Sequence, residues 1–106
     1  MRIMKEHGNI PDLTIEELRK LVAPIAEKSN VTGVSIFGSR ARGDYDSDSD
    51  YDLLIDVNDD YSFEDYLFFK DSLSESLQCD VDVITRRSLT GDQFAKDIVR
   101  EAIRIY

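Results

Sequence analysis

Residues 31–57, VTGVSIFGSRARGDYDSDSDYDLLIDV, decide how the chain is read. Val31 to Phe37 is rich in β-branched and aromatic residues and stops at Gly38, which predicts a strand running into a turn. Gly38-Ser39-Arg40-Ala41-Arg42-Gly43 then suits a tight turn opening into a short helix, where backbone N–H groups can face a phosphate. The Gly-x-x-x-x-Gly spacing is that of a P-loop, but Asp44-Tyr45 stands where Lys-Ser/Thr is required, so a Walker-type ATPase is excluded. Tyr51 to Val57 predicts a second strand, with Leu53, Ile55 and Val57 on one face and Asp50, Asp52, Leu54 and Asp56 on the other.

The same stretch holds the charge. The chain has 106 residues, 13 basic and 22 acidic side chains and a net charge of −9. Residues 44–60 contain eight aspartates and no Lys or Arg, which leaves 14 acidic against 13 basic residues elsewhere. Such a strip repels nucleic-acid phosphates unless a cation intervenes, so no direct nucleic-acid binding is expected, and a bound divalent metal reverses the local field. An EF-hand does not fit: no frame starting at Asp44, Asp46 or Asp48 places Gly sixth and Glu twelfth. For Asp44, Asp46, Asp48, Asp59 and Asp60 a solvated polar loop suffices.

Asp50 and Asp52 differ because they run straight into an apolar strand. At i and i+2 they project from one face with Cα atoms roughly 6.6 Å apart. Hard oxygen ligands suit Mg²⁺, and two ions about 3.5–4 Å apart can clamp both oxygens of a phosphoryl displacement. A third carboxylate is sought on a neighbouring strand. Asp56 is roughly 13 Å along its own strand and too far away. In Cys79-Asp80-Val81-Asp82-Val83-Ile84, Asp82 is the candidate and Asp80, of the same parity, its rival at the strand start.

Elements on either side complete the pattern. Thr14-Ile15-Glu16-Glu17 has capping-box form and opens a helix over about 14–28, in which Pro24 predicts a kink or a junction of two shorter helices. Ser62 caps a helix over about 63–78, with Phe63, Tyr66, Leu67, Leu73 and Leu77 as its core stripe, widened by Phe68 and Phe69. Val81 to Thr85 is a third strand. Gly91-Asp92 precedes a closing helix on which Phe94, Ile98, Ala102 and Ile105 lie near one face. The order predicts one domain over 1–106, a small sheet with helices packed against it, and residues 1–12 as a mobile or loosely packed N-terminal segment. There is no run of about 18 apolar residues for a membrane span and no secretory signal at Met1–Glu6, and the single Cys79 suits a reducing compartment, so a soluble cytoplasmic protein is expected. Ser39 lacks a nearby base, since the only histidine is His7, which argues against a hydrolase triad. His7 reads as an exposed terminal residue and Cys79 as a packing residue.

Taken together, Gly38-Ser39-Arg40-Ala41-Arg42-Gly43, Ser49-Asp50-Tyr51-Asp52-Leu53 and Val81-Asp82-Val83-Ile84 resemble the minimal nucleotidyltransferases (MNT) of the DNA polymerase β superfamily, antitoxins of HEPN/MNT toxin–antitoxin pairs. The resemblance covers roughly residues 14–106, and Ile98-Val99-Arg100-Glu101-Ala102 is similar to that family's last helix. It implies an α/β (α+β in some schemes) polymerase β-like fold with a small mixed sheet flanked by helices. It also implies that Gly38 and Ser39 hold the nucleotide triphosphate, that Asp50 and Asp52 bind Mg²⁺ (two ions, with Mn²⁺ as a substitute), and that Asp82 joins one ion and helps activate the acceptor hydroxyl. Arg42 would support the phosphates or the loop, while Arg40 is read as exposed. The implied reaction is transfer of AMP from ATP to a hydroxyl, a tyrosine, of a HEPN ribonuclease toxin. The chain ends at Tyr106 without a further domain to grip an acceptor, which suggests that another chain supplies it. The alternatives are a non-catalytic antitoxin acting by occlusion and a transferase for small molecules. The intact carboxylate set argues against the first and the short chain against the second.

Overall fold

The computed structural model describes residues 13–46 and 49–106. The expectations for residues 1–12, His7 and Asp48 lie outside the described residues. Helix α1 spans Ile15–Glu27, strand β1 Val31–Phe37, the short helix α2 Ser39–Arg42 and strand β2 Tyr51–Val57. Helix α3 follows at Phe63–Leu77, strand β3 at Val81–Thr85, a 3-10 turn at Arg86–Ser88, helix α4 at Gln93–Glu101 and strand β4 at Ile103–Arg104.

The sheet order is β3-β2-β1-β4, with β1 antiparallel to both β2 and β4 and β2 parallel to β3. This is the expected small mixed sheet. One face carries Val34, Ile36, Tyr51, Leu53, Ile55 and Val81 into a core closed by Leu18, Val22 and Ala26 of α1 and by Phe69, Leu73 and Leu77 of α3. On the other face, Phe37 and Leu54 pack with Ile98 of α4 in a smaller cluster. Period-2 alternation in β2 thus feeds two cores, and Asp52 and Asp56 emerge on the side covered by α4.

Local chemistry fixes the helix starts. The Thr14 and Ser62 hydroxyls accept from the N–H groups of Glu17 and Asp65, whose carboxylates accept from the cap N–H groups in return. Such caps stabilise by about 1 kcal/mol each. Pro24 does not divide α1, which is assigned as one helix from Ile15 to Glu27. It is exposed, and Lys20, whose carbonyl loses its usual N–H partner four residues on, is exposed too, so water can satisfy that group.

Two helical expectations need correction. The α3 stripe is Phe69, Leu73 and Leu77, whereas Phe63 is 69% exposed, Phe68 43% and Leu67 41%. The closing helix stops at Glu101: Ala102 is extended, and Ile103 and Arg104 pair with Ile36 and Ser35 at the sheet edge. Ile105 therefore sits in the α1/α3 core rather than on the α4 face, with its N–H donating to the Val34 carbonyl at 2.9 Å. Open hydrogen-bonding groups on β1 give the tail a better partner than another helical turn. Phe94, expected to face inward with Ile98, is 63% exposed. No helix of the described residues is long and apolar enough to cross a membrane.

Candidate active site

β1 delivers the chain to Gly38, whose φ of 73° and ψ of −153° lie in a region only glycine occupies readily. Its carbonyl accepts from the N–H groups of Ala41 and Arg42, both at 3.0 Å, and starts α2. No side chain caps this turn. A Cβ at position 38 would lie 2.3 Å from Oδ2 of Asp52, so the carboxylate itself requires the glycine.

Asp52 pairs with Phe37 across β1 and with Asp82 across β3. In a parallel ladder, residues in register point to the same face from strands about 4.8 Å apart, so Asp52 and Asp82 are neighbours. Asp50 lies one step back along the same face, where the adjoining Tyr51 N–H donates to the Asp80 carbonyl at 3.1 Å. Burial first, then the charges of Asp82 and Asp50 and a hydrogen bond with Asp82, raise the Asp52 pKa above the ordinary carboxylate value. The Asp50 pKa is also raised, by desolvation first and then by Asp80 and Asp82, with Arg40 opposing. Four carboxylates thus share one face in two rows: Asp52 with Asp82, and Asp50 with Asp80.

Among the described residues no three of the His, Cys, Asp and Glu side chains converge closely enough to hold one metal ion as they stand. Their chemistry still fits a hard divalent cation. The donors are all carboxylate oxygens, and the burial and mutual repulsion that raise the Asp50 and Asp52 pKa values are both penalties on the charged form that a bound cation relieves. Asp56 lies apart, as its spacing required, and accepts from Arg86 Nε at 2.7 Å.

Two cavities meet at Asp52. One, of about 430 Å³, is lined by Gly38, Ser39, Arg42 and Phe94. The other, of about 390 Å³, is lined by Asp82, Tyr66, Lys70 and again Phe94. Arg42 is exposed and bridges Asp44 and Glu101, at 3.2 Å each, tying the acidic loop to α4; these partners raise its pKa, the Asp44 hydrogen bond most.

Arg40 corrects the sequence reading. It is only 8% exposed, its guanidinium lies 4.4 Å from the centre of the Tyr45 ring and 4.3 Å from that of Tyr51, and it donates to the Ser49 carbonyl at 2.8 Å. It thereby holds both ends of the loop leading to Asp50. A signal existed in the sequence: residues two apart on a helix point about 200° apart, so when Arg42 faces outward Arg40 must turn inward. Lys70 and Phe94 were missed as cavity-lining residues, because helical periodicity alone does not tell which side of a core helix overhangs a site.

Known proteins share this fold. The family model described as polymerase beta nucleotidyltransferase matches residues 19–106. A Methanocaldococcus jannaschii protein provisionally named a protein adenylyltransferase is 36% identical over 90 residues, spanning 85% of this chain and 92% of its own. A solved structure provisionally described as a minimal nucleotidyltransferase superposes with a TM-score of 0.72 at 30% identity, over 89% of this chain and 98% of the other. The fold also matches, at a TM-score of 0.64 and 15% identity over 88% and 72% of the two chains, a complex of a tri-AMPylated Shewanella oneidensis HEPN toxin with its MNT antitoxin. With a family match across most of its length and a strand-to-turn site built on Gly38, Asp52 and Asp82, this chain belongs to the polymerase beta nucleotidyltransferase family.

Proposed function

We propose that this protein is an antitoxin that transfers AMP from ATP to a hydroxyl, a tyrosine, of a HEPN-domain ribonuclease toxin in the cytoplasm, using one nucleotidyltransferase domain over residues 1–106. The observation that carries the reading is the in-register pair Asp52–Asp82 beside the Gly38 turn. The names of the similar proteins support the adenylyl donor and the protein acceptor.

Asp50, Asp52 and Asp82 would hold two Mg²⁺ ions, with Mn²⁺ as a substitute. When bound, such ions neutralise the triphosphate and lower the cost of deprotonating the acceptor. Gly38 and Ser39 hold the triphosphate where no side chain blocks the backbone, and Arg42 braces the loop beside it. Asp82 faces the second cavity, where the acceptor hydroxyl arrives. The oxygen of that hydroxyl forms a bond to the α-phosphorus while the bond from that phosphorus to the α,β-bridging oxygen breaks, and pyrophosphate leaves with the electron pair. The hydroxyl proton passes to a carboxylate oxygen of Asp82. A tyrosine, with a pKa of about 10, needs that help at neutral pH.

The test is incubation with α-labelled ATP, Mg²⁺ and the HEPN toxin. Wild type should label the toxin, and the Asp50→Asn/Asp52→Asn pair should lower the rate by at least about 10²–10⁴. A double variant that still silences the toxin at normal stoichiometry would replace this reading with occlusion.

A further inference from the structure

The Asp82-side cavity does not stop at the carboxylates. It shares Tyr66, Val83 and Ile84 with a neighbouring cavity of about 400 Å³ that also takes in Tyr61, Phe63 and Arg87. Together they make one trough running from Asp52 and Asp82 along the N-terminal half of α3. Phe63 is 69% exposed and stacked on Tyr66 at 5.9 Å between ring centres. The Tyr61 hydroxyl is buried at the trough wall with no hydrogen-bond partner. Lys70 and Arg87 line opposite ends and, among the described residues, neither has a carboxylate partner, although the chain is strongly acidic.

We infer that this trough is the acceptor site and that it takes a short extended segment whose hydroxyl-bearing residue enters beside Asp82 and whose acidic flank lies against Lys70 and Arg87. The inference rests on the adenylyl-transfer reading and adds where, and with what chemistry, the acceptor is gripped. Continuity with the carboxylates gives the position, since a residue seated against Tyr66 is next to Asp82. Exposed aromatic rings give apolar anchorage, which polypeptide segments exploit and free phosphates do not. Lys70 and Arg87 lean on the trough's own rings, 5.9 Å from the centre of Tyr66 and 5.7 Å from that of Tyr61, so their charges are not neutralised, and in a protein of net charge −9 they select an acidic flank and repel a basic one. Each cavity has the size of a small-ligand site, so the trough holds a segment and not a domain.

Two synthetic peptides test this, each with one tyrosine, flanked by glutamates in one and by lysines at the same positions in the other. Transfer from α-labelled ATP is measured for wild type, Arg87→Glu and Phe63→Ser, with ATP affinity followed by calorimetry. Wild type should prefer the glutamate peptide at least tenfold in kcat/KM. Arg87→Glu should collapse or invert that preference, and Phe63→Ser should raise peptide KM about tenfold, with ATP affinity unchanged in both. Equal use of the peptides, or preference for the lysine peptide, overturns the inference, as does wild type that labels the HEPN toxin but neither peptide. Loss of ATP affinity in Arg87→Glu would assign the trough to the triphosphate. If wild type binds ATP but labels neither toxin nor peptide, the proposed activity itself fails and the inference with it.

Discussion

Replacing Gly38 with alanine separates a turn that is merely a turn from one built around a carboxylate. The backbone there has φ 73° and ψ −153°, so any side chain costs of order 1–3 kcal/mol in conformational strain. The added Cβ would also stand 2.3 Å from Asp52 Oδ2, whereas real Cβ contacts stay beyond 3.0 Å, so the carboxylate must retreat by about 0.7 Å or swing away. A domain of this size has about 5–15 kcal/mol of stability, so Gly38→Ala should fold, with Tm lowered by roughly 5–20 °C. Displacement of a reacting group by that distance can cost about 10²-fold in rate, so AMP transfer should fall at least that far. Gly43→Ala is the control. Its φ of 88° carries a comparable backbone cost, but nothing lies within 4 Å of the new Cβ, so it should lose stability and keep activity. Thermal denaturation followed by circular dichroism, with label transfer on the same samples, reads both quantities. Full activity in Gly38→Ala, or equal activity losses in the two variants, would refute the close-approach argument.

Arg40→Met should lower stability by about 1–3 kcal/mol: it loses the hydrogen bond to Ser49 and two desolvated cation–π contacts, partly offset by removing Nε and Nη1 atoms that are buried without partners. It should also raise the Asp50 pKa further, measurable by NMR titration, because Arg40 opposes that shift; an unchanged Asp50 titration would contradict the assignment. Between the ordinary carboxylate value and the raised pKa of Asp52, the folded state holds more protons than the unfolded one, so this group makes metal-free stability fall as pH rises through that window. Asp52→Asn should therefore have a higher Tm than wild type in chelator at pH 7, and the difference should vanish as pH falls below about 4. Added Mg²⁺ should raise the wild-type Tm more than that of the variant. A wild type more stable than Asp52→Asn in chelator at pH 7 would show that the repulsion is not there.

The strands were legible because alternation and β-branching agree with their burial: β1, β2 and β3 fall where composition placed them, and the Thr14 and Ser62 caps are local chemistry that needs no tertiary knowledge. The parity of Asp50, Asp52 and Asp82 was legible for the same reason. What local sequence could not supply was competition between partners. Ile103 and Arg104 continue a helical pattern, and only the open edge of β1 draws them into a strand. Phe63 and Phe68 look like core in an apolar run, yet α3 buries the face of Phe69, Leu73 and Leu77, which leaves Phe63 on a cavity wall near the site and Phe68 exposed. Arg40 looked solvated because its two aromatic partners, Tyr45 and Tyr51, lie on either side of a loop whose path no periodicity describes.

The acidic strip resolves into groups that are neutralised and groups that are not, and the division follows the geometry of the site. Asp44 has Arg42 at 3.2 Å and Asp56 has Arg86 at 2.7 Å. Asp50, Asp52, Asp80 and Asp82 have no ion-pair partner among the described residues and instead neighbour one another, Asp52 and Asp82 in register on β2 and β3 and Asp50 and Asp80 one residue before those strands. Arg40, the cation that opposes the Asp50 shift, is sandwiched between two tyrosines and committed to a backbone carbonyl, so it restrains the loop without forming an ion pair with the face. A protein selected for stability alone would place a Lys or Arg in that gap, as it does for Asp56, because unpaired like charges on neighbouring strands oppose folding. Leaving the gap open makes sense where a dissociable cation is to fill it during turnover, and the cost should then be recovered as metal-dependent stability that Asp52→Asn and Asp82→Asn each remove and Asp80→Asn, in the outer row, largely retains.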